Sequence, residues 1–145
     1  MGCAAGFFLD EARRAGWQVR GVEVSAFAAG HARRDLGLDV VQGTFPAVAL
    51  PEEKVDMVTF FNVLEHLPAP REVEARLREL VPPGGLVVVE TWDWQSKVAR
   101  RLGMEWHQYD PRYVPSYFDR PSLLALFPPP AWRLERYESA AKWIS

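Results

Sequence analysis

A glycine-rich turn at the start of the chain constrains its fold more than any other stretch. Small residues stand at Gly2, Ala4, Ala5 and Gly6, directly before residues 7–15, which have the composition of a helix. Small residues let the backbone approach a ligand closely, and the N-terminus of the following helix attracts negative charge. The turn therefore predicts a binding loop that leads into a helix.

Glu23 strengthens this interpretation. It lies at the end of a predicted strand, residues 17–24, and 17 positions after Gly6. In open α/β nucleotide sites an acidic side chain at such a position accepts hydrogen bonds from ribose hydroxyls. We therefore expect a ligand that contains a ribose. The alternative is a turn that serves packing alone.

The spacing of the small residues disfavours a nicotinamide cofactor. A dinucleotide fingerprint would use Gly2, Ala4 and Phe7, and Phe7 takes the place of the glycine that allows close packing of helix on strand. A Tyr-x-x-x-Lys pair is also absent after the fourth predicted strand. A nicotinamide reductase is therefore the weaker alternative.

The elements alternate between strand and helix along the first two thirds of the chain. Predicted strands cover residues 17–24, 39–42, 55–61 and 86–91, and predicted helices cover residues 7–15, 26–35 and 71–80. This order is typical of an α/β fold with a mostly parallel sheet and helices on both faces. The strands at 55–61 and 86–91 are almost uniformly apolar, so we expect them to be buried on both faces. Further along, we expect a helix in residues 96–102, a short helix capped by Asp119 or Ser122, and an edge strand over residues 132–138.

Composition limits the remaining possibilities. A chain of 145 residues with a net charge of -2 fits one domain without the basic surface that nucleic-acid binding requires. No apolar run is long enough to span a membrane, and no signal sequence is present, so we expect a cytoplasmic protein. His31, His66 and His107 are scattered along the sequence, so no metal site is predicted.

Three further stretches carry a family resemblance. Residues 63–67 read Val-Leu-Glu-His-Leu, residues 82–86 read Pro-Pro-Gly-Gly-Leu before a strand, and Gly43-Thr44 precedes the strand at 55–61. Together with the glycine turn, in which Ala4 replaces the central glycine, they resemble the small-molecule S-adenosylmethionine-dependent methyltransferases. That family includes enzymes that methylate quinone precursors and sugars. The resemblance covers nearly the whole chain and implies a Rossmann-like three-layer αβα sandwich.

The resemblance also implies a set of site residues. Eight positions would bind S-adenosylmethionine: Gly2, Ala4 and Gly6 along the methionine and sulfonium, Glu23 at the ribose, Gly43, Thr44 and Phe45 beside the adenine, and Asn62 under the methionine. His66 would face the reaction centre as a catalytic base. The alternative for His66 is a structural cap at a helix start.

Residues 92–119, here called the aromatic segment, differ in character from the rest of the chain. Tryptophan, tyrosine and proline are frequent and no regular periodicity is visible. We expect a lid or substrate insertion, with His107, Tyr109 and Tyr113 as substrate contacts. Ordinary aromatic packing is the alternative.

The sequence departs from the family at its ends. Family members have a helix and a central strand, ending in an acidic residue, ahead of the glycine loop, and a final antiparallel strand that is hard to find here after Glu138. We therefore expect a gap in the sheet, here called the seam, between the strands at 19–24 and 55–61. Direct pairing of these strands, a second copy in a homodimer, or upstream sequence would close it.

The expected activity is methyl transfer from S-adenosylmethionine to a small-molecule acceptor, with a hydroxyl as the expected acceptor group. The alternative is a non-catalytic domain that keeps the fold and has lost cofactor binding. Neither the acceptor nor the methylated atom is set by the sequence.

Overall fold

The computed structural model describes residues 1–50 and 54–139, in which short strands and helices alternate. The helices are α1 (Phe7–Arg14), α2 (Ala26–Arg34), α3 (Pro70–Leu80), α4 (Lys97–Leu102) and α5 (Arg120–Leu126), and the strands are β1 (Gly21–Glu23), β2 (Val40–Gln42), β3 (Met57–Phe61) and β4 (Leu86–Glu90). Single 3-10 turns cover Leu64–His66 and Gly103–Glu105. The predicted order of elements is confirmed as far as α5, although β1 is shorter than the predicted strand.

The strands form two parallel pairs. In the first, Gly21 of β1 lies opposite Val40 of β2, and in the second, Met57 of β3 lies opposite Leu86 of β4. Both ladders are parallel, as predicted. The carboxyl ends of paired strands therefore lie at a common edge, where ligands bind in open α/β sheets.

Residues 1–3 lie between the two pairs. The Cys3 amide donates to the Val22 carbonyl at 3.1 Å, and the Met1 amino group donates to the Thr59 carbonyl at 2.7 Å. In the described part of the chain, no ladder joins β1 to β3 directly. Of the three expected ways to close the seam, direct strand pairing is thus not the one the structure uses. A short bridge takes its place.

The main core lies between β3 and α3. Phe60, Leu64, Val73 and Leu77 are fully buried there. A smaller cluster joins α2 to the first sheet through small and aliphatic side chains, namely Ala29, Ala32, Leu38 and Val40. Both clusters pack helices onto strands, as the apolar spacing predicts.

Strand β4 is less buried than predicted. Leu86 is 44% exposed and Val88 is 38% exposed, whereas Val87 and Val89 pack against the main core. Successive side chains of a strand point to opposite faces, and only one face of β4 is covered by described residues. The expectation of burial on both faces is therefore wrong for β4.

The predicted edge strand over residues 132–138 is also wrong. This stretch has no regular secondary structure. The Trp132 indole donates to a Glu74 carboxylate oxygen at 2.6 Å, and Arg133 and Arg136 each pair with the acid two positions later. The alternating charges that suggested a strand thus pair with each other. The cap prediction for α5 is confirmed, because Asp119 and Ser122 form a capping box.

Candidate functional site

The glycine turn is a loop of left-handed residues. The φ angles are +63° at Gly2, +47° at Ala4 and +90° at Gly6. A Cβ on Gly2 would lie 2.4 Å from Val63 Cγ2, and one on Gly6 would lie 2.6 Å from Leu38 Cδ1. Backbone conformation and packing both demand glycine at these two positions. Contacts within the protein itself thus fix the conformation of the loop.

Glu23 holds this loop at the end of β1. Its side chain is buried, Oε2 accepts from the Ala4 amide at 2.8 Å, and Oε1 accepts from the Ser25 amide at 2.8 Å. Sequence reasoning missed this structural role. Each carboxylate oxygen can accept more than one hydrogen bond, so the arrangement still fits two ribose hydroxyls. The loop, β1 and the start of α2 therefore meet at one carboxylate.

Gly43, Thr44 and Phe45 follow β2 at the same edge. The Gly43 amide donates to the Glu23 carbonyl at 3.0 Å, which keeps this turn beside the end of β1. Thr44 is exposed, whereas Phe45 is buried and its ring packs edge-on against Phe60 with the centroids 5.9 Å apart. Phe45 therefore belongs to the core. A contact between Phe45 and adenine stays a prediction.

Asn62 directly follows β3 and has a left-handed backbone conformation, with φ +53°. Its amide donates to the Glu90 carbonyl at 2.8 Å, and its side-chain Nδ2 donates to Glu90 Oε1 at 3.2 Å. Its Oδ1 atom is buried and has no hydrogen-bond partner in the described part of the chain. An unpaired buried acceptor at the carboxyl edge fits a ligand that brings a donor.

Glu65 is a second buried acceptor near this edge. It is 1% exposed, and among the described residues neither carboxylate oxygen is hydrogen bonded. Burial raises the pKa of the Glu65 carboxyl, although the nearby Thr91 hydroxyl and His66 favour the charged form. Sequence reasoning used Glu65 only as part of a motif. Its place between apolar Leu64 and exposed His66 gave no signal that it would be buried.

His66 is exposed beside the aromatic segment. Its Nδ1 lies 2.8 Å from the Tyr113 carbonyl oxygen, and its ring packs edge-on against Trp92 with the centroids 5.8 Å apart. A carbonyl only accepts hydrogen bonds, so Nδ1 carries the proton in this contact. In the neutral ring the lone pair then resides on Nε2. Nε2 is thus the ring nitrogen that could accept a proton, and a catalytic role for His66 stays a prediction.

The aromatic segment and α5 line an open cavity of about 710 Å³. Its lining combines aromatic, aliphatic and polar side chains: Trp94, Ala99, Arg100, Gly103, Met104, Trp106, Tyr109, Tyr117, Asp119 and Ser122. Of the three predicted substrate residues, Tyr109 lines this cavity, and His107 and Tyr113 do not. The structure therefore brings one of the three predicted substrate residues to this cavity.

A smaller cavity of about 230 Å³ lies against the glycine loop. Residues 1–5 and 7–9 line it together with Thr59 and Phe61, and Glu23 and Asn62 do not. This space is therefore separate from the edge at which the polar site residues gather.

Within residues 1–50 and 54–139, no three histidine, cysteine, aspartate or glutamate side chains lie close enough together to hold a metal ion. None of the helices in this part of the chain has the length and apolar character that a membrane crossing requires.

Comparison with known proteins decides the family. The family profile for a methyltransferase domain matches residues 1–128. The chain belongs to this methyltransferase family. The resemblance to S-adenosylmethionine-dependent methyltransferases is thereby confirmed, with S-adenosylmethionine as the cofactor of the class.

Curated relatives of this methyltransferase domain agree. A ubiquinone biosynthesis O-methyltransferase of Burkholderia ambifaria is 31% identical over 144 residues, covering 88% of this chain and 60% of the relative. A protein of the same description from Methylococcus capsulatus is 31% identical over 137 residues, covering 86% of this chain and 57% of the relative. The chain thus spans about three fifths of the length of the curated relatives it matches.

Solved structures support the predicted Rossmann-like α/β fold. A possible histamine N-methyltransferase from Thermotoga maritima superposes with a TM-score of 0.70 at 21% identity, covering 87% of this chain and 58% of that one. Streptomyces venezuelae DesVI superposes with a TM-score of 0.59 at 27% identity, covering 66% of this chain and 42% of that one. The fold prediction is therefore confirmed.

Proposed function

We propose that this methyltransferase domain transfers a methyl group from S-adenosylmethionine to a hydroxyl group of a small molecule. The observation that carries the proposal is the glycine loop held by Glu23 at the carboxyl edge of β1, within a chain of this family. The printed description of the curated relatives, O-methyltransferase, supports oxygen as the methylated atom.

Cofactor binding in this proposal uses the loop and the strand ends. Gly2, Ala4 and Gly6 provide backbone along the methionine portion, and Glu23 accepts hydrogen bonds from the ribose. The unpaired Oδ1 of Asn62 accepts from a donor of the ligand. Thr44 and its neighbours Gly43 and Phe45 complete the site on the adenine side. When bound, the cofactor supplies an electrophilic methyl group on a sulfonium.

His66 serves as the general base. Its Nδ1 proton is directed to the Tyr113 carbonyl, which leaves Nε2 to take the proton from the acceptor hydroxyl as the new bond to oxygen forms. The remaining task of the protein is alignment of the reacting groups in a site from which water is excluded. The aromatic segment, which contacts His66 through both Tyr113 and Trp92, closes that site as a lid.

A non-catalytic domain is the second candidate. It is favoured by one observation, because both Glu23 oxygens already accept backbone amides. If these bonds saturate the carboxylate, the ribose has no acceptor and the domain keeps the fold without the cofactor.

Calorimetry with S-adenosylhomocysteine separates the two candidates. The proposal expects saturable binding with one site per chain, and transfer of a labelled methyl group from S-adenosylmethionine to a catechol probe. His66→Ala is expected to lower the transfer rate by about 10²- to 10⁴-fold and to leave S-adenosylhomocysteine affinity unchanged. Absence of binding would favour the non-catalytic domain.

A further inference from the structure

The turn after β3 contains a group of buried oxygen atoms without hydrogen-bond partners. Within residues 1–50 and 54–139, Asn62 Oδ1, both carboxylate oxygens of Glu65 and Thr91 Oγ1 are buried and unpaired. Glu65 is 1% exposed, and its side chain lies near Glu90 and Thr91, at the end of β4 and just beyond it. Three of these four oxygen atoms can only accept when Glu65 is ionised, so the group lacks a donor or a cation.

The Glu65 carboxylate also lacks a permanent positive partner. In the described part of the chain no lysine or arginine is bonded to it. Burial raises the pKa of this carboxyl and the Glu90 carboxylate adds to the rise, whereas the Thr91 hydroxyl and His66 oppose it. His66, as the proposed base, is neutral until it accepts a proton. From the aromatic segment the backbone amide of Ser116, an uncharged residue, contacts the Glu65 carbonyl.

The turn that carries Glu65 packs directly against the glycine loop. A Cβ on Gly2 would lie 2.4 Å from Cγ2 of Val63, which stands two positions before Glu65. The next position after Glu65 is His66, the proposed base. One turn therefore extends from the loop proposed for the methionine portion of the cofactor to the reaction centre. The cofactor sulfur is proposed to lie between these two points, beside Glu65.

We propose that the Glu65 carboxylate recognises the positive charge of the cofactor sulfonium, so that the site prefers S-adenosylmethionine to S-adenosylhomocysteine. The inference rests on the proposed function and adds a specificity-determining residue to it. The two ligands share their adenosine and amino-acid groups, and they differ in the methyl group and in the charge on sulfur. A carboxylate in a buried, weakly screened position attracts the charged form more strongly.

This preference would also assist turnover. As the methyl group passes to the acceptor oxygen and the acceptor proton passes to His66, the electron pair of the broken carbon–sulfur bond stays on sulfur. Glu65 then faces a neutral thioether, and the attraction that held the cofactor is lost. The product is therefore held less tightly than the cofactor that replaces it.

Calorimetry on the 145-residue chain tests the proposal by binding alone. The ligands are S-adenosylmethionine, S-adenosylhomocysteine and sinefungin, which carries an amino group in place of the methylated sulfur and so keeps a positive charge there. We expect the wild type to bind both charged ligands about tenfold more tightly than S-adenosylhomocysteine. Equal affinities for the three ligands would overturn the proposal.

Glu65→Gln and Glu72→Gln form a matched pair. Each removes one negative charge, but Glu72 is exposed on α3. Glu65→Gln is expected to bind all three ligands with affinities within about twofold of one another, whereas Glu72→Gln keeps the wild-type preference. Glu65→Asp, which retains the charge, is expected to keep part of the preference. A full preference in Glu65→Gln would overturn the proposal, and thermal unfolding confirms that each variant is folded.

Proton release on binding gives a second readout. A cation beside the carboxylate favours its ionised form, so ligand binding is expected to lower the pKa of Glu65. Between the usual value of 4.5 and the raised value of the free protein, S-adenosylmethionine therefore releases more protons from the wild type than S-adenosylhomocysteine does. Titrations in two buffers of different ionisation enthalpy count these protons. The same difference in Glu65→Gln would contradict the assignment.

These measurements separate the proposal from the proposed function. A preference that depends on Glu65, without methyl transfer to catechol, would support charge recognition and refute methyl transfer. Methyl transfer by a chain that binds the three ligands equally would support the function and refute the role of Glu65. Absence of binding by all three ligands would refute both.

Discussion

Glu23 combines two tasks in one carboxylate, since it holds the glycine loop and is proposed to bind the ribose. Glu23→Ala is expected to weaken S-adenosylhomocysteine binding tenfold or more, because loss of a charge-assisted acceptor costs about 1.5–3 kcal/mol. Calorimetry measures the change, and thermal unfolding shows whether the loop still folds. Glu11→Ala is the control, since Glu11 is exposed on α1 and pairs with Arg14. Equal affinities of wild type and Glu23→Ala would contradict the ribose assignment.

The raised pKa of Glu65 predicts a pH-dependent stability. The carboxyl ionises near its usual pKa of 4.5 in the unfolded chain and at higher pH in the folded one. Below about pH 4.5 both states hold the proton. As pH rises above that value, the unfolded state loses its proton first, so the free energy of unfolding falls until the folded carboxyl ionises too.

Glu65→Gln removes this titration. The variant is expected to gain about 1–3 kcal/mol over the wild type near neutral pH, because it carries no unpaired buried charge, and to lose this advantage near pH 4. Thermal unfolding across this range measures it. Glu72→Gln, at an exposed position of α3, controls for the removal of one negative charge. A constant difference at all pH values would show that Glu65 ionises normally in the folded protein.

For single residues, the sequence predicted positions in the fold better than it predicted side-chain contacts. It indicated that Glu23, Gly43 and Asn62 would lie at strand ends, because the end of an apolar run in the sequence marks the carboxyl end of a strand. It did not indicate that Phe45 would turn into the core or that Glu65 would be buried. Both involve residues distant in sequence: the Phe45 ring packs against Phe60, and the Ser116 amide of the aromatic segment donates to the Glu65 carbonyl.

Helix α1 is preceded by Gly6, and replacing this glycine tests how tightly its neighbours pack around it. Gly6 and Gly16 have φ angles of +90° and +94°, so alanine costs about 1–2 kcal/mol at either position. Only at Gly6 would the added Cβ collide, at 2.6 Å from Leu38 and 3.0 Å from Ala32. Gly6→Ala is therefore expected to lose about 1–3 kcal/mol more than Gly16→Ala in denaturant unfolding. Equal losses would show that the collision is relieved without cost.

The aromatic segment is expected to move when ligands bind. In the free protein we expect rapid amide exchange over residues 99–117, and slower exchange after S-adenosylhomocysteine and the acceptor probe catechol are added, because α4 and the following turn would close on the acceptor. Hydrogen exchange with mass spectrometry measures this. Full protection in the free protein would identify the segment as ordinary core.

Among the elements, periodicity predicted the helices well and the exposure of the strands poorly. The apolar spacing in α3 specifies its buried face directly, through Val73, Leu77 and Leu80. The apolar character of a strand does not reveal which element covers it, and no described residue buries the Leu86 face of β4. The alternation over residues 132–138 arises from local ion pairs, which a strand and an extended coil both accommodate.

For the molecule as a whole, the seam between the sheets predicts self-association. Strands β1 and β3 are joined by the short bridge of residues 1–3, and the aromatic rings of Phe7 and Phe8 nearby are 68% and 53% exposed. Unpaired strand edges beside apolar surface pair with other chains. Light scattering and native mass measurement of the 145-residue chain are therefore expected to show dimers or larger species. Cys3→Ser excludes disulfide-linked dimers, and a stable monomer that binds cofactor would contradict the prediction.

The position of the bridge has a thermodynamic consequence. The bridge of residues 1–3 overlaps the glycine loop, so one piece of backbone joins the two sheets and is also proposed to contact the cofactor. A ligand bound by the loop would then stabilise the connection between the two sheets. The free energy of unfolding would therefore rise with ligand concentration. At a hundred times its dissociation constant, such a ligand would add about 2.7 kcal/mol to the free energy of unfolding.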